Sequence, residues 1–132
     1  MVVKSLDELN LNDSDLIKIE FSEIGNLGDR IIFHLDYILD YQTFETKSKL
    51  LVFEKCWKAT LDLNFAVAPP DSIHSGIELK DTELLNSVFE KIQKLKLDAP
   101  NIIRHFYIET NVANSKINII ADNVLLIDSL SQ

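Results

Sequence analysis

The chain has 132 residues, of which 46% are hydrophobic and 26% charged, and it contains a single cysteine. A chain of this length and composition forms a core of its own, which excludes intrinsic disorder, and one cysteine excludes an internal disulfide framework. We therefore predict one domain over residues 1–132, with Cys56 as a small buried thiol rather than a reactive one.

The charge of the chain is acidic and unevenly distributed. The formal net charge is −8, and residues 1–46 hold ten acidic and three basic side chains, which gives −7. An acidic surface repels phosphate backbones, so it argues against nucleic-acid binding; it suits a basic protein partner, or it serves solubility alone. No apolar run approaches the length of a membrane span, and the start lacks the apolar core of a signal peptide. We expect a cytoplasmic protein with no membrane association.

Two alternating segments follow an early turn cluster, Asn12–Asp15. In Leu16–Ile24 the alternation places Ile17, Ile19 and Phe21 on the inner face of a strand. After a turn with two glycines, Arg30–Leu39 is apolar on one parity and partly apolar on the other, as is typical of a central strand.

The longest alternating segment is Lys49–Val67, which follows a predicted polar loop over Asp40–Ser48. Its apolar parity contains Trp57, Ala59, Leu61, Leu63, Phe65 and Val67. Because the parity slips earlier in the segment, we predict a break or a bulge near Glu54–Cys56, giving two strands or one sharply bent strand.

The remaining segments predict one helix among further strands. Ile73–Leu79 alternates with its isoleucines on one face, and a helix over about residues 81–96 is capped by Asp81 or Thr82. The apolar face of the helix contains Leu84, Leu85, Val88, Phe89, Ile92 and Leu95. Two strands follow, Ile102–Thr110 and Lys116–Ile127, and a kink at Ala121–Asn123 is expected to separate residues 124–127 as a short edge strand.

This order of elements predicts an α+β, mainly β fold. The sheet is expected to be antiparallel, either a strongly curved sheet or a sandwich-like pair of sheets, with one amphipathic helix.

The best candidate for an exposed contact surface lies around the predicted loop after the second strand. Aromatic side chains beside charged ones are enriched where proteins meet, although Tyr37 and Phe44 could instead fold under the loop. The candidate partner-binding residues are Asp36, Tyr37, Asp40, Tyr41, Phe44 and Glu45.

No motif in the sequence predicts catalysis, a cofactor or a metal. The chain lacks a phosphate-binding glycine loop, a nucleophile elbow and closely spaced metal ligands, so we assign no catalytic, cofactor-binding or metal residue. Two alternatives stay open: a hydrolase-type enzyme that uses the pair His34/Asp36 or His105/Glu109, and a carrier of a small apolar ligand held near Trp57.

Three segments carry a resemblance: NDSDLIKI at 12–19, IFHLDYILD at 32–40, and KLLVFE at 49–54 followed by ATLDLN at 59–64. They are similar to a group of small uncharacterised bacterial proteins related to immunity proteins of polymorphic-toxin systems. The similarity covers roughly residues 12–65, with a weaker echo in Arg104–Ala121. It implies a cytosolic, non-enzymatic binder of a toxin domain and assigns no functional residue.

Taken together, these observations favour a small acidic protein-binding module without enzymatic activity, immunity-like in its role, with a basic protein as its partner.

Overall fold

The structure, a computed structural model, describes residues 5–23, 29–64, 71–95 and 103–129. Before the first strand lies a short 3₁₀ turn at Leu6–Glu8, which Ser5 caps with its side-chain oxygen. The strands are β1 (Asp15–Glu23), β2 (Asp29–Asp40), β3 (Glu45–Asp62), β4 (Asp71–Leu79), β5 (Arg104–Thr110) and β6 (Lys116–Asp128), and the helix α1 (Glu83–Lys94) lies between β4 and β5.

All six strands belong to one antiparallel sheet that closes into a barrel in the order β1-β2-β3-β6-β5-β4. Among the described residues, two pairs, Asp15 with Ser72 and Leu16 with Asp71, join β1 to β4 and complete the barrel. The prediction of a mainly β, antiparallel α+β fold is confirmed, and the strongly curved sheet is the arrangement found. Among the described residues, no helix has the length and apolar content needed to cross a membrane.

Three phenylalanine rings form the centre of the barrel. Phe33, Phe53 and Phe106 are fully buried, and the ring centroid of Phe53 lies 5.3 Å from that of Phe33 and 5.2 Å from that of Phe106. Such spacings are typical of favourable edge-on and tilted aromatic contacts. The alternation predicted for β2 is confirmed, since Ile31, Phe33 and Leu35 all point into this core.

A second apolar cluster lies outside the barrel, beneath α1. The buried face of the helix, Val88 and Ile92, packs on Ile103 and Ile120, and Trp57 borders the same cluster. Thr82 is the N-cap, and its Oγ1 accepts a hydrogen bond from the Leu85 N–H at 3.1 Å. The predicted helix and its Thr82 cap are confirmed.

The strand β3 differs from its prediction in a way that matters for the site. It is a single strand, which is one of the two predicted forms, but it begins at Glu45, so the predicted loop over Asp40–Ser48 shrinks to a four-residue turn. The expected irregularity is present: Lys55 has a φ of 53°, and a bulge between Cys56 and Lys58 displaces Trp57 from the ladder.

The bulge corrects the prediction that Trp57 shares a dry face with Ala59 and Leu61. An extra residue in one strand sends the following side chains to the opposite face. Trp57 therefore joins the outer cluster, whereas Ala59 packs against the barrel core and Leu61 is partly exposed at the end of the strand. The predictions for Phe65 and Val67 fall outside the described residues.

Two further strand predictions are corrected. A bulge between Leu16 and Lys18 leaves Ile17 exposed, while Leu16 and Ile19 pack against the core. The strand β6 is continuous and lies between β3 and β5, so the kink expected near Asp122 does not separate an edge strand.

Candidate functional site

The structure places all six predicted contact residues on the hairpin formed by β2 and β3. Along this hairpin they have different roles, which follow from their hydrogen bonds and their exposure. The residues are Asp36, Tyr37 and Asp40 on β2, Tyr41 and Phe44 in the turn, and Glu45 at the start of β3.

Asp40 builds the turn itself. Its Oδ1 accepts hydrogen bonds from the backbone N–H groups of Gln42 at 2.8 Å and Thr43 at 3.4 Å, and its carbonyl accepts one from the Phe44 N–H at 2.7 Å. Aspartate commonly stabilises turns in this way, because its side chain accepts hydrogen bonds from the backbone N–H groups of the residues that follow it. The role of Asp40 is therefore to fix the conformation of the turn.

Tyr41 fastens the turn to the loop that precedes β1. Its hydroxyl donates a hydrogen bond to the backbone carbonyl of Asn12. Burial raises the pKa of Tyr41, and the negative charge of Asp13 raises it further. The hydroxyl thus stays protonated as a donor, and the turn is held from outside the hairpin as well as from within.

Phe44 and Glu45 form the exposed tip. Phe44 is 69% exposed, and its φ of 58° lies in the left-handed region. Glu45 is exposed beside it, with its N–H bound to Thr43 Oγ1 at 3.3 Å. The tip therefore presents an aromatic ring and a carboxylate on a fixed backbone.

Tyr37 and Asp36 lie further down the hairpin. The ring of Tyr37 packs against the core, and the Lys49 ammonium lies 5.5 Å from the ring centroid. Asp36 is directly opposite Asp15, and the pKa of Asp15 is raised by burial, then by the charges of Asp36 and Asp71. These two residues support the hairpin rather than form its tip.

A cleft of about 430 Å³ opens on the other side of β3, next to Trp57. Among the described residues, β2 and β3 pair as far as Arg30 and Glu54, and β3 pairs with β6 from Cys56 to Asp62. Trp57 is held at its edge by a hydrogen bond from Nε1 to Asp122 Oδ1 at 2.8 Å.

No protein-family model, curated protein or solved structure matches the chain.

The two histidine pairs considered for catalysis do not form as the sequence suggested. His34 Nε2 binds Glu20 Oε1 at 2.7 Å, and no hydrogen bond to Asp36 is found among the described residues. His105 is buried, with Nδ1 bound to Thr82 Oγ1 at 2.7 Å and Nε2 bound to Asn118 Oδ1 at 2.8 Å. Both ring nitrogens of His105 are thus used to fix the start of α1 against β5 and β6.

The carboxylate of Glu109, the other member of the second pair, accepts a hydrogen bond from the Tyr107 hydroxyl at 3.0 Å. Within the part of the chain that the structure describes, no group of three or more His, Cys, Asp or Glu side chains is arranged to hold a metal. Cys56 is half-buried, and its thiol donates to the Phe53 carbonyl at 3.4 Å.

Sequence reasoning missed the residues that line the cleft opposite Trp57, above all Phe21 and Arg30. The alternation of β1 predicts that Phe21 faces the core, but the ring is 63% exposed, and the end of the β2–β3 ladder at Arg30 among the described residues has no local signal in the sequence. The position of the cleft is visible only from the registers in which β1 pairs with β2, β2 with β3, and β3 with β6.

Proposed function

We propose that the chain is a non-enzymatic protein-binding module, immunity-like in its role, which recognises a basic protein partner with the tip of the β2–β3 hairpin. The observation that carries the proposal is the position of Phe44. A large aromatic side chain is exposed to solvent there, on a backbone in the left-handed region, so the ring contributes little to the stability of the fold.

The left-handed conformation is unfavourable for a bulky L-residue. It costs about 1–2 kcal/mol, and glycine or asparagine usually occupies such positions. Phe44 does not offset this cost by burial, because most of its surface is in contact with water. Strain of this kind concentrates at functional sites, so the ring is best explained by a contact with a partner.

The hydrogen bonds around the turn make the tip rigid before any partner arrives. Asp40 fixes the backbone from within, and the Tyr41–Asn12 bond holds it from outside. An anchor that is already ordered loses less conformational entropy on binding, and aromatic anchors in rigid surroundings dominate many interfaces.

The charges near the tip favour a basic partner. Asp13, Asp40 and Glu45 lie on the hairpin turn or on the loop bound to it, while Lys47 is engaged by Asp128 at 2.8 Å. Acidic side chains around a hydrophobic anchor speed the encounter with a positively charged surface and disfavour acidic competitors. A basic toxin domain, the partner that the sequence resemblance implies, has this chemistry.

Affinity capture from the native cell, with binding strength measured for each recovered protein, tests the proposal. We expect one basic protein to bind the unmodified chain, to be lost from Phe44→Ala, and to bind Glu45→Gln more weakly and with less dependence on salt. Phe89→Ala and Glu90→Gln are the matched controls, because both residues are exposed on α1. Equal capture by Phe44→Ala and Phe89→Ala would remove the hairpin tip from the interface.

A further inference from the structure

The cleft beside Trp57 has a composition unlike the rest of this acidic protein. Arg30 and Lys58 contribute two positive charges to its lining, and none of the described lining residues is acidic. Neither cation takes part in an ion pair of 4.0 Å or less among the described residues. Arg30 and Lys58 are therefore the charged side chains among the described lining residues of the cleft.

Arg30, one of the residues that line the cleft, has a side-chain donor that the protein does not use. Its Nε is buried and has no hydrogen-bond partner among the described residues. A buried donor without a partner is costly, and most such groups in native structures are satisfied by protein, water or a ligand. The guanidinium of Arg30 therefore has hydrogen-bonding capacity left over, and a guanidinium is the side chain best suited to bind a carboxylate.

The nearby acid Glu20 is already engaged. Its carboxylate binds His34 at 2.7 Å, and this hydrogen bond is the main reason that the pKa of Glu20 lies below its ordinary value. The charge of Arg30 makes the smallest contribution to that lowering. No hydrogen bond or ion pair joins Arg30 to Glu20 among the described residues.

The other walls of the cleft are aromatic and apolar. Phe21 is 63% exposed although it lies opposite the buried Ile31 in the ladder, so its ring faces the opening with little cover. Trp57 is held in one orientation by its bond to Asp122, and Ala59 adds a small apolar surface. Flat aromatic molecules suit such walls, because aromatic rings prefer stacked or edge-on neighbours.

We propose that this cleft binds a small aromatic carboxylate, with the carboxylate on Arg30 and Lys58 and the ring against Phe21 and Trp57. The cavity of about 430 Å³ has the size of a small-molecule pocket. This function is separate from the proposed protein contact, because the cleft is lined by residues 56–59 of β3, whereas Phe44 lies in the turn before β3 and is not among the described lining residues.

The test uses two probes of nearly equal shape, 1-naphthoate and its neutral amide 1-naphthamide. The chain has one tryptophan, so a ¹H–¹⁵N NMR spectrum contains a single indole N–H signal, and it comes from a residue that lines the cleft. We expect naphthoate to shift this signal saturably, with a dissociation constant below about 1 mM, and to bind about tenfold more tightly than naphthamide.

Two variants then test whether Arg30 and Lys58 cause the preference of the cleft for naphthoate over naphthamide. Arg30→Gln and Lys58→Gln are each expected to weaken naphthoate severalfold while leaving naphthamide unchanged, and Lys91→Gln on α1 is the matched control. Because Lys58 is exposed, Lys58→Gln keeps the test decisive even if Arg30→Gln disturbs the fold. An unmoved Trp57 signal, equal binding of acid and amide, or naphthoate binding that both variants leave intact would overturn the proposal.

Removing the Phe44 ring from the hairpin tip should not affect the binding of naphthoate in the cleft. Phe44→Ala is expected to bind naphthoate as the unmodified chain does, so failure of the protein-binding proposal and failure of the cleft proposal can be told apart. If Phe44→Ala abolished naphthoate binding as well, the cleft would not be the independent site that we propose.

Discussion

The guanidinium of Arg104 binds the carboxylate of Glu78 at two points on the inner side of the barrel wall. Arg104 Nε donates to Glu78 Oε2 at 3.0 Å, and Arg104 Nη2 donates to Glu78 Oε1 at 2.7 Å. Glu78 is opposite Phe106 and Arg104 is opposite Ala121, and both of these partners belong to the core. The side chains are only 4% and 13% exposed, so this ion pair is one of the barrel's interior contacts.

Removing the charge of Glu78 is expected to destabilise the fold strongly. Glu78→Gln leaves the buried guanidinium without its carboxylate, and breaking a buried ion pair from one side costs about 3–5 kcal/mol. Chemical unfolding in urea measures the loss, and Glu90→Gln, on the exposed face of α1, is the control. A loss below about 1 kcal/mol would mean that the pair behaves like an exposed salt bridge.

The same pair makes stability depend on pH in the acid range. Burial opposes the charge of Glu78, but the hydrogen bonds and charges of Arg104 and Lys80 outweigh burial and hold the pKa of Glu78 below its ordinary value of 4.5. A lowered folded-state pKa gives stability that is complete above the unfolded pKa and is lost as pH falls through the folded one.

Unfolding free energies measured from pH 7 down to about pH 3 should therefore fall less steeply for Glu78→Gln than for the unmodified chain. Asp71 and Asp128 also have lowered pKa values, so part of the acid sensitivity is expected to remain in the variant. Identical slopes for the two proteins would contradict an ionised Glu78 in the folded state.

The sequence could not predict that Glu78 faces inward. Simple alternation from Ile73 places Ile77 inside and Glu78 outside, but a bulge between Ile73 and Ser75 shifts the register of β4. Gly76 and Glu78 then face the core, and Ile77 is partly exposed. A period-two pattern predicts a strand with one exposed and one buried face. A single extra residue in the strand exchanges the two faces, and the position of that residue depends on the partner strand.

Replacing Phe44 with glycine is expected to stabilise the protein slightly. The change relieves about 1–2 kcal/mol of strain from the left-handed backbone. Because glycine makes the unfolded chain more flexible, it also costs about 0.5–1 kcal/mol, so the free energy of unfolding should rise by about 0.5 kcal/mol. Lys55→Gly is the matched control, since Lys55 has a φ of 53° and is also exposed. Thermal or urea unfolding measures both gains.

The two variants should differ in function. Phe44→Gly is expected to lose partner capture while gaining stability, and Lys55→Gly to gain stability and keep capture. A large loss of stability in Phe44→Gly would show that the ring packs against the protein, which would remove the main support for the proposed contact.

Gly76 faces the core at a place where no side chain fits. A Cβ at this position would lie 2.7 Å from Cδ1 of Leu11, which is itself fully buried. Gly76→Ala is expected to cost about 1–3 kcal/mol through overpacking, measured by urea unfolding, whereas Ser75→Ala beside it should change little.

A second substitution identifies Leu11 as the obstacle. Leu11→Ala alone is expected to cost about 2–5 kcal/mol, but the double variant should cost less than the sum of the two single changes by about 1 kcal/mol or more, because each relieves the defect of the other. Additive effects would show that the strain at Gly76 arises elsewhere.

The helix and the place of the chain reversal after β2 were predictable because their signals are local, although the reversal is a four-residue turn and not the predicted loop over Asp40–Ser48. Thr82 caps α1 from a position next to the apolar repeat, and Asp40 lies where a turn needs an acceptor. The cleft was not predictable, because it depends on where β2 and β3 separate and on the bulge that turns Trp57 outward. Those features arise from pairing between residues distant in sequence.

The bond between Trp57 and Asp122 is expected to hold the indole at the edge of the cleft. Asp122→Ala removes the acceptor of Nε1 at 2.8 Å, and a hydrogen bond to a charged group in a partly buried site contributes about 1.5–3 kcal/mol. We expect a loss of about 1.5 kcal/mol in urea unfolding and an upfield shift of the indole N–H proton. Asp62→Ala, at the exposed end of β3, is the control.

A double-mutant cycle separates this bond from other effects of the carboxylate. Trp57→Phe keeps an aromatic ring but removes the donor, so Asp122→Ala should cost little in that background. If the cost were the same in both backgrounds, Asp122 would stabilise β6 by another route, and the orientation of Trp57 at the cleft would have to come from its packing against α1.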